Sequence, residues 1–170
     1  MELTVSQENG VYRASWGDRR WRCAVGRSGI TTAKREGDGA TPVGVWPLRR
    51  LLYRDDRLEH PKTALSCRTI GDGDGWCDAP EDPAYNQPVQ LPYPASHEVL
   101  RRDDHLYDLL VVLGYNDAPV VPGLGSAIFL HLAQSDYSGT EGCVALAQAD
   151  LLTLLSEAGP GDAVRVLGEG

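Results

Sequence analysis

The sequence predicts a mainly β domain, and two features of the chain support this prediction. Short segments rich in β-branched and aromatic residues recur between Gly, Pro, Asp and Asn residues, whereas helical periodicity is scarce. The chain also contains 19 glycines and 11 prolines among its 170 residues, as expected for a fold with many turns. The predicted strands are residues 3–5, 11–16, 20–25, 109–115, 127–132 and 163–167.

One or two short helices accompany these strands. Residues 147–158 carry an apolar stripe of leucines, and a Gly-Pro-Gly run follows it, which is typical of a helix end. Residues 96–103 are the second candidate helix. The leucines of the stripe are Leu151, Leu152, Leu154 and Leu155.

Residues 54–95 hold most of the prolines and show little periodic pattern, so we predict a long loop-rich insertion there. No repeat, low-complexity tract or linker divides the chain. We therefore expect residues 1–170 to form a single domain, since their number is in the usual range for one.

The charge balance excludes one class of partner. The chain has 24 acidic and 16 basic residues, a formal net charge of −8, and no basic stripe, so nucleic acid is a poor candidate. The first ten residues lack the basic start, apolar run and cleavage site of a secretion signal, and no segment is apolar for long enough to cross a bilayer. As written, the chain is expected to remain unexported and outside the membrane, and its oligomeric state stays open.

The cysteines and histidines do not predict a metal site. No cysteine pair has the CxxC spacing of structural zinc sites, and three of the histidines, His60, His97 and His105, share no ligand spacing and are predicted to lie on the surface. Cys67 and Cys77 flank a glycine-rich turn and are either a disulfide or two reduced thiols. The four cysteines are Cys23, Cys67, Cys77 and Cys143.

The most informative segment joins a histidine to a cysteine. An apolar strand ends in His131, a polar loop follows, and Thr140-Glu-Gly-Cys143 opens the next element before a helix. A cysteine attacks as its thiolate, which requires a neighbouring imidazole or a positive field, and we expect His131 and the approaching helix to supply them. Gly142 lets the backbone approach a substrate, and the amides beside it can form an oxyanion hole.

A structural alternative exists for each of these residues. Taken singly, such a cysteine is more often an inert core residue, and such a histidine is more often a satisfied side chain at a strand end. The combined order of strand, histidine, loop, Thr-x-Gly-Cys and helix favours a catalytic pair. Thr140 either orients His131 or shapes the loop as an ST-turn.

These residues resemble the L,D-transpeptidase catalytic domain, also called the YkuD domain. Its signature is a histidine at a strand end followed by Ser/Thr-x-Gly-Cys, matched here by His131 and residues 140–143. A second feature upstream, a lysine followed by a polar run and Thr-Pro-x-Gly-x-aromatic, is matched by Lys34 and residues 41–46. We interpret the Thr-Pro run as a turn that fixes strand geometry near the site.

The resemblance implies a β-sandwich-like domain with no metal and no organic cofactor. It implies that Cys143 attacks the carbonyl before the terminal D-residue of a peptidoglycan stem tetrapeptide or muropeptide, that the Gly142 and Cys143 amides hold the oxyanion, and that His131 protonates the leaving amine. The thioester then passes to a stem amine in 3→3 cross-linking, to a D-amino acid in exchange, or to water. The implied location is the periplasm or cell envelope, and the missing signal leaves the cytoplasm open.

Two other functions remain as alternatives. One is an L,D-carboxypeptidase or amidase that hydrolyses wall-derived peptides with the same Cys-His pair, and the other is a non-catalytic wall-binding module. The sequence also departs from the family pattern, because Glu141 stands where His or Arg is common and Ala145 where Asn or Arg is common.

A set of residues outside the signature is predicted to border the substrate cleft. Loops on a rigid β scaffold commonly form binding walls, and the insertion gathers aromatic and polar side chains in one stretch. The alternative is a loop packed by its own aromatic residues. The predicted binding residues are Trp76, Asp78, Tyr85, Asn86 and Glu141.

Overall fold

The computed structural model describes residues 1–168 and has a mainly β architecture, which confirms the predicted fold class. Fourteen strands and one helix lie in this part of the chain. They are β1 (Glu2–Glu8), β2 (Val11–Trp16), β3 (Arg19–Ala24), β4 (Ile30–Thr31), β5 (Thr41–Pro42), β6 (Gly44–Tyr53), β7 (Cys67–Thr69), β8 (Asp74–Cys77), β9 (Pro88–Gln90), β10 (His97–Val99), β11 (Leu109–Leu113), β12 (Phe129–Leu132), β13 (Val144–Leu146), α1 (Gln148–Glu157) and β14 (Ala163–Val166).

Eight strands close into a ring, which we call the barrel, around the main core. Their order is β11-β12-β13-β3-β2-β1-β14-β6, and β6 also pairs with β11, so the ring has no free edge between these strands. Strand β7 adds to β6 outside the ring. The inner faces of the ring pack together as the two layers of a sandwich do, and fully buried side chains such as Leu3, Leu51, Leu130 and Val164 come from all around it.

The predicted strands all form, with ends that differ by up to three residues, and β2 has the predicted bounds. The longest strand, β6, was not predicted. Its sequence contains Pro47, Arg49 and Arg50, which interrupt the alternation of apolar and polar residues. Pairing with β14, β11 and β7 stabilises this strand, and such contacts cannot be deduced from local pattern.

Residues 54–95 form a loop-rich segment, as predicted, in which the strands β7, β8 and β9 are three or four residues long. The helix predicted directly after this segment is wrong. Residues 97–99 form the strand β10 and not the predicted helix over 96–103, because they pair antiparallel with β8, and β8 also pairs with β9 to give a separate three-stranded sheet. Backbone hydrogen bonds from Asp78 N to Ser96 O and from Leu100 N to Asp74 O extend the pairing at both ends.

The helix α1 forms close to its predicted bounds, with Leu151, Leu154 and Leu155 fully buried against the main core. It does not follow directly on Cys143, because β13 lies between them. Three residues of extended chain span about 10 Å, and the field of a helix terminus falls off within one turn. The prediction that this helix assists the thiol is therefore wrong.

The structure also bears on two other expectations from the sequence. All four cysteines are free, so Cys67 and Cys77 are separate thiols in this structure. Among residues 1–168, no helix is long and apolar enough to cross a bilayer.

Candidate active site

The candidate nucleophile and base lie on two neighbouring parallel strands. In the pairing of β12 with β13, Leu130 is opposite Val144 and His131 is opposite Ala145. Successive side chains of a strand point to opposite faces, and Leu130 and Val144 are buried in the main core. The outer face therefore carries Phe129, His131, Cys143 and Ala145. His131 and Cys143 are diagonal neighbours on this face, an arrangement in which long side chains can meet.

A cavity of about 400 Å³ covers this face. Both His131 and Cys143 line it, together with Thr140 and Glu141 from the signature loop. Residues between 78 and 107, from the insertion and the segment that follows it, line the opposite side. We call residues 34–41 and 139–142, of which Glu36, Gly37 and 139–141 line the cavity, the loop wall, and we call the set of Asp78, Glu98, Arg102 and Tyr107 the insertion wall.

The Cys143 thiol is buried and protonated. It is 5% exposed, its Sγ accepts the Phe129 N–H at 3.3 Å, and its own proton is donated to the Ala127 carbonyl at 3.2 Å. Burial raises the pKa of Cys143 to about 12, and the Glu98 carboxylate acts in the same direction. The Phe129 N–H and Lys34 act in the opposite direction. At neutral pH Cys143 is therefore a thiol and not a thiolate.

His131 is held as a neutral imidazole with a defined tautomer. Its Nδ1 lies 2.8 Å from the Leu132 carbonyl, and because a carbonyl oxygen only accepts, we assign the ring proton to Nδ1. The Nε2 atom then keeps its lone pair. Burial lowers the pKa of His131 to about 4, so the ring is uncharged at neutral pH. The Tyr107 ring packs edge-on against it, with centroids 5.2 Å apart.

Thr140 shapes the loop that carries the cysteine. Its hydroxyl donates to the Cys143 carbonyl at 2.6 Å and accepts the Gly142 N–H at 3.1 Å, which corresponds to the ST-turn alternative and not to a contact with His131. Gly142 has φ of +135°, and a Cβ there would lie 2.9 Å from the Ala40 carbonyl oxygen. The loop therefore requires glycine at this position, and the Gly142 amide is already hydrogen-bonded in this structure.

The upstream Thr-Pro motif is hydrogen-bonded to the same loop. The Thr41 hydroxyl is fully buried, donates to the Gly142 carbonyl at 2.8 Å and accepts the Gly26 N–H at 2.8 Å. Glu141 is exposed at the rim and forms an ion pair with Arg27. The two sequence motifs are thus joined by a hydrogen bond, although about one hundred residues separate them in the chain.

The insertion wall contains three residues that sequence reasoning missed. The Tyr107 hydroxyl donates to Glu98 at 2.7 Å, and burial raises the pKa of Glu98 to about 6, while the Tyr107 hydrogen bond acts to lower it. Arg102 pairs with Asp104 through two hydrogen bonds and lies over the Tyr107 ring. No motif marks these residues, and Glu98 and Arg102 fell within the predicted helix.

The predicted binding residues divide into two groups. Asp78 and Glu141 line the cavity, whereas Trp76, Tyr85 and Asn86 are buried and do not. The Asn86 side chain accepts the Trp76 indole N–H at 3.0 Å and donates to the backbone carbonyls of Tyr115 and Asn116. It therefore attaches the insertion to the segment that follows β11. Tyr85 donates to Glu36 of the loop wall at 2.7 Å. These three residues lie behind the walls.

No metal site accompanies the cysteine and histidine. Within residues 1–168, no group of three or more His, Cys, Asp or Glu side chains is arranged to hold a metal ion. His105 hydrogen-bonds the Ala133 carbonyl, and His97 lies against the Ala95 carbonyl.

The comparison with family models agrees with the motifs. The model of the L,D-transpeptidase catalytic domain family, YkuD, matches residues 3–166. A solved structure of L,D-transpeptidase 1 from Mycobacterium tuberculosis is similar at 14% identity and a TM-score of 0.44, covering 98% of this chain and 61% of that chain. The present chain thus spans less than two thirds of that protein. A search of curated proteins returned no match.

Proposed function

Because this chain belongs to the L,D-transpeptidase catalytic domain (YkuD) family, we propose that it is a cysteine-dependent L,D-transpeptidase acting on peptidoglycan stem peptides through a thioester acyl-enzyme. One observation carries the proposal: a neutral imidazole and a thiol lie on one face of two paired strands and line one cavity. The stem peptides belong to the cell envelope, and we infer that the chain acts there.

In the first half-reaction, His131 Nε2 takes the thiol proton as Cys143 Sγ attacks the carbonyl before the terminal D-residue. The Phe129 N–H holds the sulfur, and the Cys143 amide donates to the developing oxyanion. The tetrahedral intermediate collapses by breaking the peptide C–N bond. The imidazolium returns its proton to the departing D-amino acid amine, and the thioester remains on Cys143.

The second half-reaction transfers the acyl group. An amine of another stem yields a 3→3 cross-link, a free D-amino acid yields exchange, and water yields carboxypeptidase action. His131 takes the proton of the incoming nucleophile and returns it to the leaving thiolate. Product analysis with and without an amine acceptor separates transfer from the hydrolytic alternative.

The ionisation of the pair sets the pH range of acylation. His131 must be unprotonated to act as the base, and with its pKa near 4 this form prevails down to that pH. We therefore expect the acylation rate to fall on acidification only as the pH approaches 4, and not near the ordinary histidine value of about 6.5. A pH profile of acyl-enzyme formation with an acid limb near 6.5 would contradict this assignment.

The test is mass spectrometry of the protein after exposure to a tetrapeptide donor or a carbapenem. We expect an adduct on the peptide that contains Cys143, no thioester in Cys143→Ala, and acylation slowed by about 10² to 10⁴ in His131→Gln. Cys23 is the matched control, because it is also buried, with its pKa raised to about 12, but lies on β3 in the main core.

The control variant, Cys23→Ser, should acylate as the wild type does. Adducts distributed equally over Cys23 and Cys143, or a folded protein that forms none with any donor, would refute the proposal. The second result would favour the non-catalytic wall-binding alternative, in which Cys143 is inert.

A further inference from the structure

The loop wall contains a buried lysine that the mechanism above does not use. Lys34 is 9% exposed, and its Nζ donates to the Arg35 carbonyl at 3.1 Å and to the Asp38 carboxylate. Burying an ammonium is costly even when it is paired, so a lysine in such a position requires an explanation. Two of its three N–H donors are accounted for by these partners.

The Lys34 side chain passes close to the backbone of two glycines. A Cβ at Gly142 would lie 3.5 Å from Lys34 Nζ, and a Cβ at Gly125 would lie 3.0 Å from Lys34 Cε. The ammonium is therefore adjacent to the backbone that leads into Cys143, and the lysine stem passes beside Gly125. A Cβ at Gly142 would be in ordinary van der Waals contact with the ammonium, which shows how near the ammonium lies to the Gly142 backbone.

The charges around Cys143 come from every neighbouring element. On the insertion side, Glu98 of β10 opposes a thiolate, and Tyr107 is its hydrogen-bond partner. Glu141 at the rim also opposes it, although Arg27 is its ion-pair partner. His131 of β12 is neutral, and Arg102 is engaged by Asp104. Lys34 lowers the pKa of Cys143, although Asp38 is its ion-pair partner.

We propose that Lys34 is a positioning residue that acts through Gly142 and Cys143, its ammonium stabilising negative charge on the sulfur and on the oxyanion as acylation proceeds. The inference rests on the proposed function for its role in acylation. The Gly142 amide is already bound to Thr140, so fewer backbone donors remain for the oxyanion. A fixed positive charge in a site shielded from water compensates for this, because electrostatic interactions are stronger there.

The test measures the reactivity of Cys143 without any substrate. Lys34→Met and Lys34→Gln remove the charge, and the rate of iodoacetamide labelling is measured at fixed pH and assigned to each cysteine by peptide mass spectrometry. We expect Cys143 to react roughly threefold to tenfold more slowly, because one unit of pKa lowers the thiolate fraction tenfold and the greater nucleophilicity of a less acidic thiolate returns part of this. Lys62→Met, at an exposed lysine, should change nothing.

A substitution of opposite charge separates an electrostatic effect from a structural one. Glu98→Gln should speed the labelling of Cys143, and Lys34→Met with Glu98→Gln should return it close to the wild-type rate. General loosening of the fold would instead speed both Cys143 and the buried Cys23. Cys143 labelling unchanged in both Lys34 variants, or accelerated together with Cys23, would overturn the role of Lys34.

The outcome of the labelling series does not depend on whether the proposed function is correct. If the wild type forms the acyl-enzyme but the Lys34 variants label and acylate normally, the transpeptidase assignment stands and the Lys34 proposal fails. If no donor acylates the wild type, the labelling series alone decides whether Lys34 stabilises the thiolate. With a functional donor, we expect the Lys34 variants to lose about tenfold in acylation rate with little change in donor affinity.

Discussion

The two walls of the cavity differ in how they are held and in what they present to a ligand. In the loop wall, a buried hydrogen bond from Thr41 to Gly142 joins the two segments, and the Thr140 hydroxyl bonds the Cys143 carbonyl. This wall brings a cation, Lys34, and the glycine turn close to the cysteine. The insertion wall is built on its own three-stranded sheet and presents the carboxylates of Asp78 and Glu98. This difference suggests that the first wall serves the chemical step and the second wall serves the choice of ligand.

The largest effect should come from the loop wall, with Gly142→Ala. A Cβ at this positive φ would lie 2.9 Å from the Ala40 carbonyl oxygen, so the loop must move and Cys143 with it. Displacements of about 1 Å can cost 10²-fold in rate, and we expect acyl-enzyme formation to fall by at least about that factor. The rate is measured by mass spectrometry in single turnover.

Gly10→Ala is the matched control for this substitution. Gly10 also has positive φ, at +76°, but nothing lies within 4 Å of an added Cβ, and it occupies the turn between β1 and β2. It should lose some stability and keep its acylation rate. Equal losses of acylation in the two variants would show that strain in general, and not the loop wall, governs the chemistry.

An intermediate effect, on stability, should come from Asn86→Ala behind the insertion wall. Its side chain accepts the Trp76 indole and the Ala127 N–H and donates to the backbone at Tyr115 and Asn116. Leaving buried partners unsatisfied costs about 1 to 3 kcal/mol each, and we expect a loss of at least about 2 kcal/mol in the free energy of unfolding. Urea titration measures this loss.

The control here is Asn9→Ala, an exposed asparagine with φ of +50° in the β1–β2 turn, close to the +56° of Asn86. Its free energy of unfolding should fall only by the cost of placing alanine in that backbone conformation. The acylation rate of folded Asn86→Ala at low temperature should stay within a few-fold of wild type. A specific loss of donor binding without a loss of stability would instead favour the sequence prediction that Asn86 borders the cleft.

The smallest effect should come from Asp78→Asn on the insertion wall. Asp78 lines the cavity, and its Oδ1 is buried without a hydrogen-bond partner in the part of the chain that the structure describes. Removing its charge should raise KM about threefold for donors that carry a free ammonium group and leave other donors unchanged. Asp55→Asn, at an exposed position, is the control. Identical KM changes for both classes of donor would end the distinction between the walls.

The sequence predicted the barrel better than the insertion for a physical reason. Strands such as β2 and helix α1 carry their own periodic pattern, so local residues are sufficient to identify them. In β8, β9 and β10 the strands are only three or four residues long, and it is pairing between segments distant in the chain that makes them strands.

The candidate site divides in the same way. His131 and Cys143 lie twelve residues apart in one local motif, so the sequence alone is sufficient to predict that they act as a pair. Glu98, Arg102 and Tyr107 reach the cavity only because the small sheet folds back over the barrel. The hydrogen bond between Thr41 and Gly142 is an intermediate case. Each residue belongs to a motif that the sequence shows, but neither motif predicts that the two residues bond to each other.

Strands β12 and β13 each have one face in the main core and one face in the cavity. Core residues such as Leu130 and Val144 therefore set the spacing of His131 and Cys143, the two groups that exchange a proton in the proposed mechanism. A mutational survey scored by turnover should find sensitive positions on both sides of this strand pair. Evolution of the protein is then constrained twice at these strands, once by packing and once by reactivity.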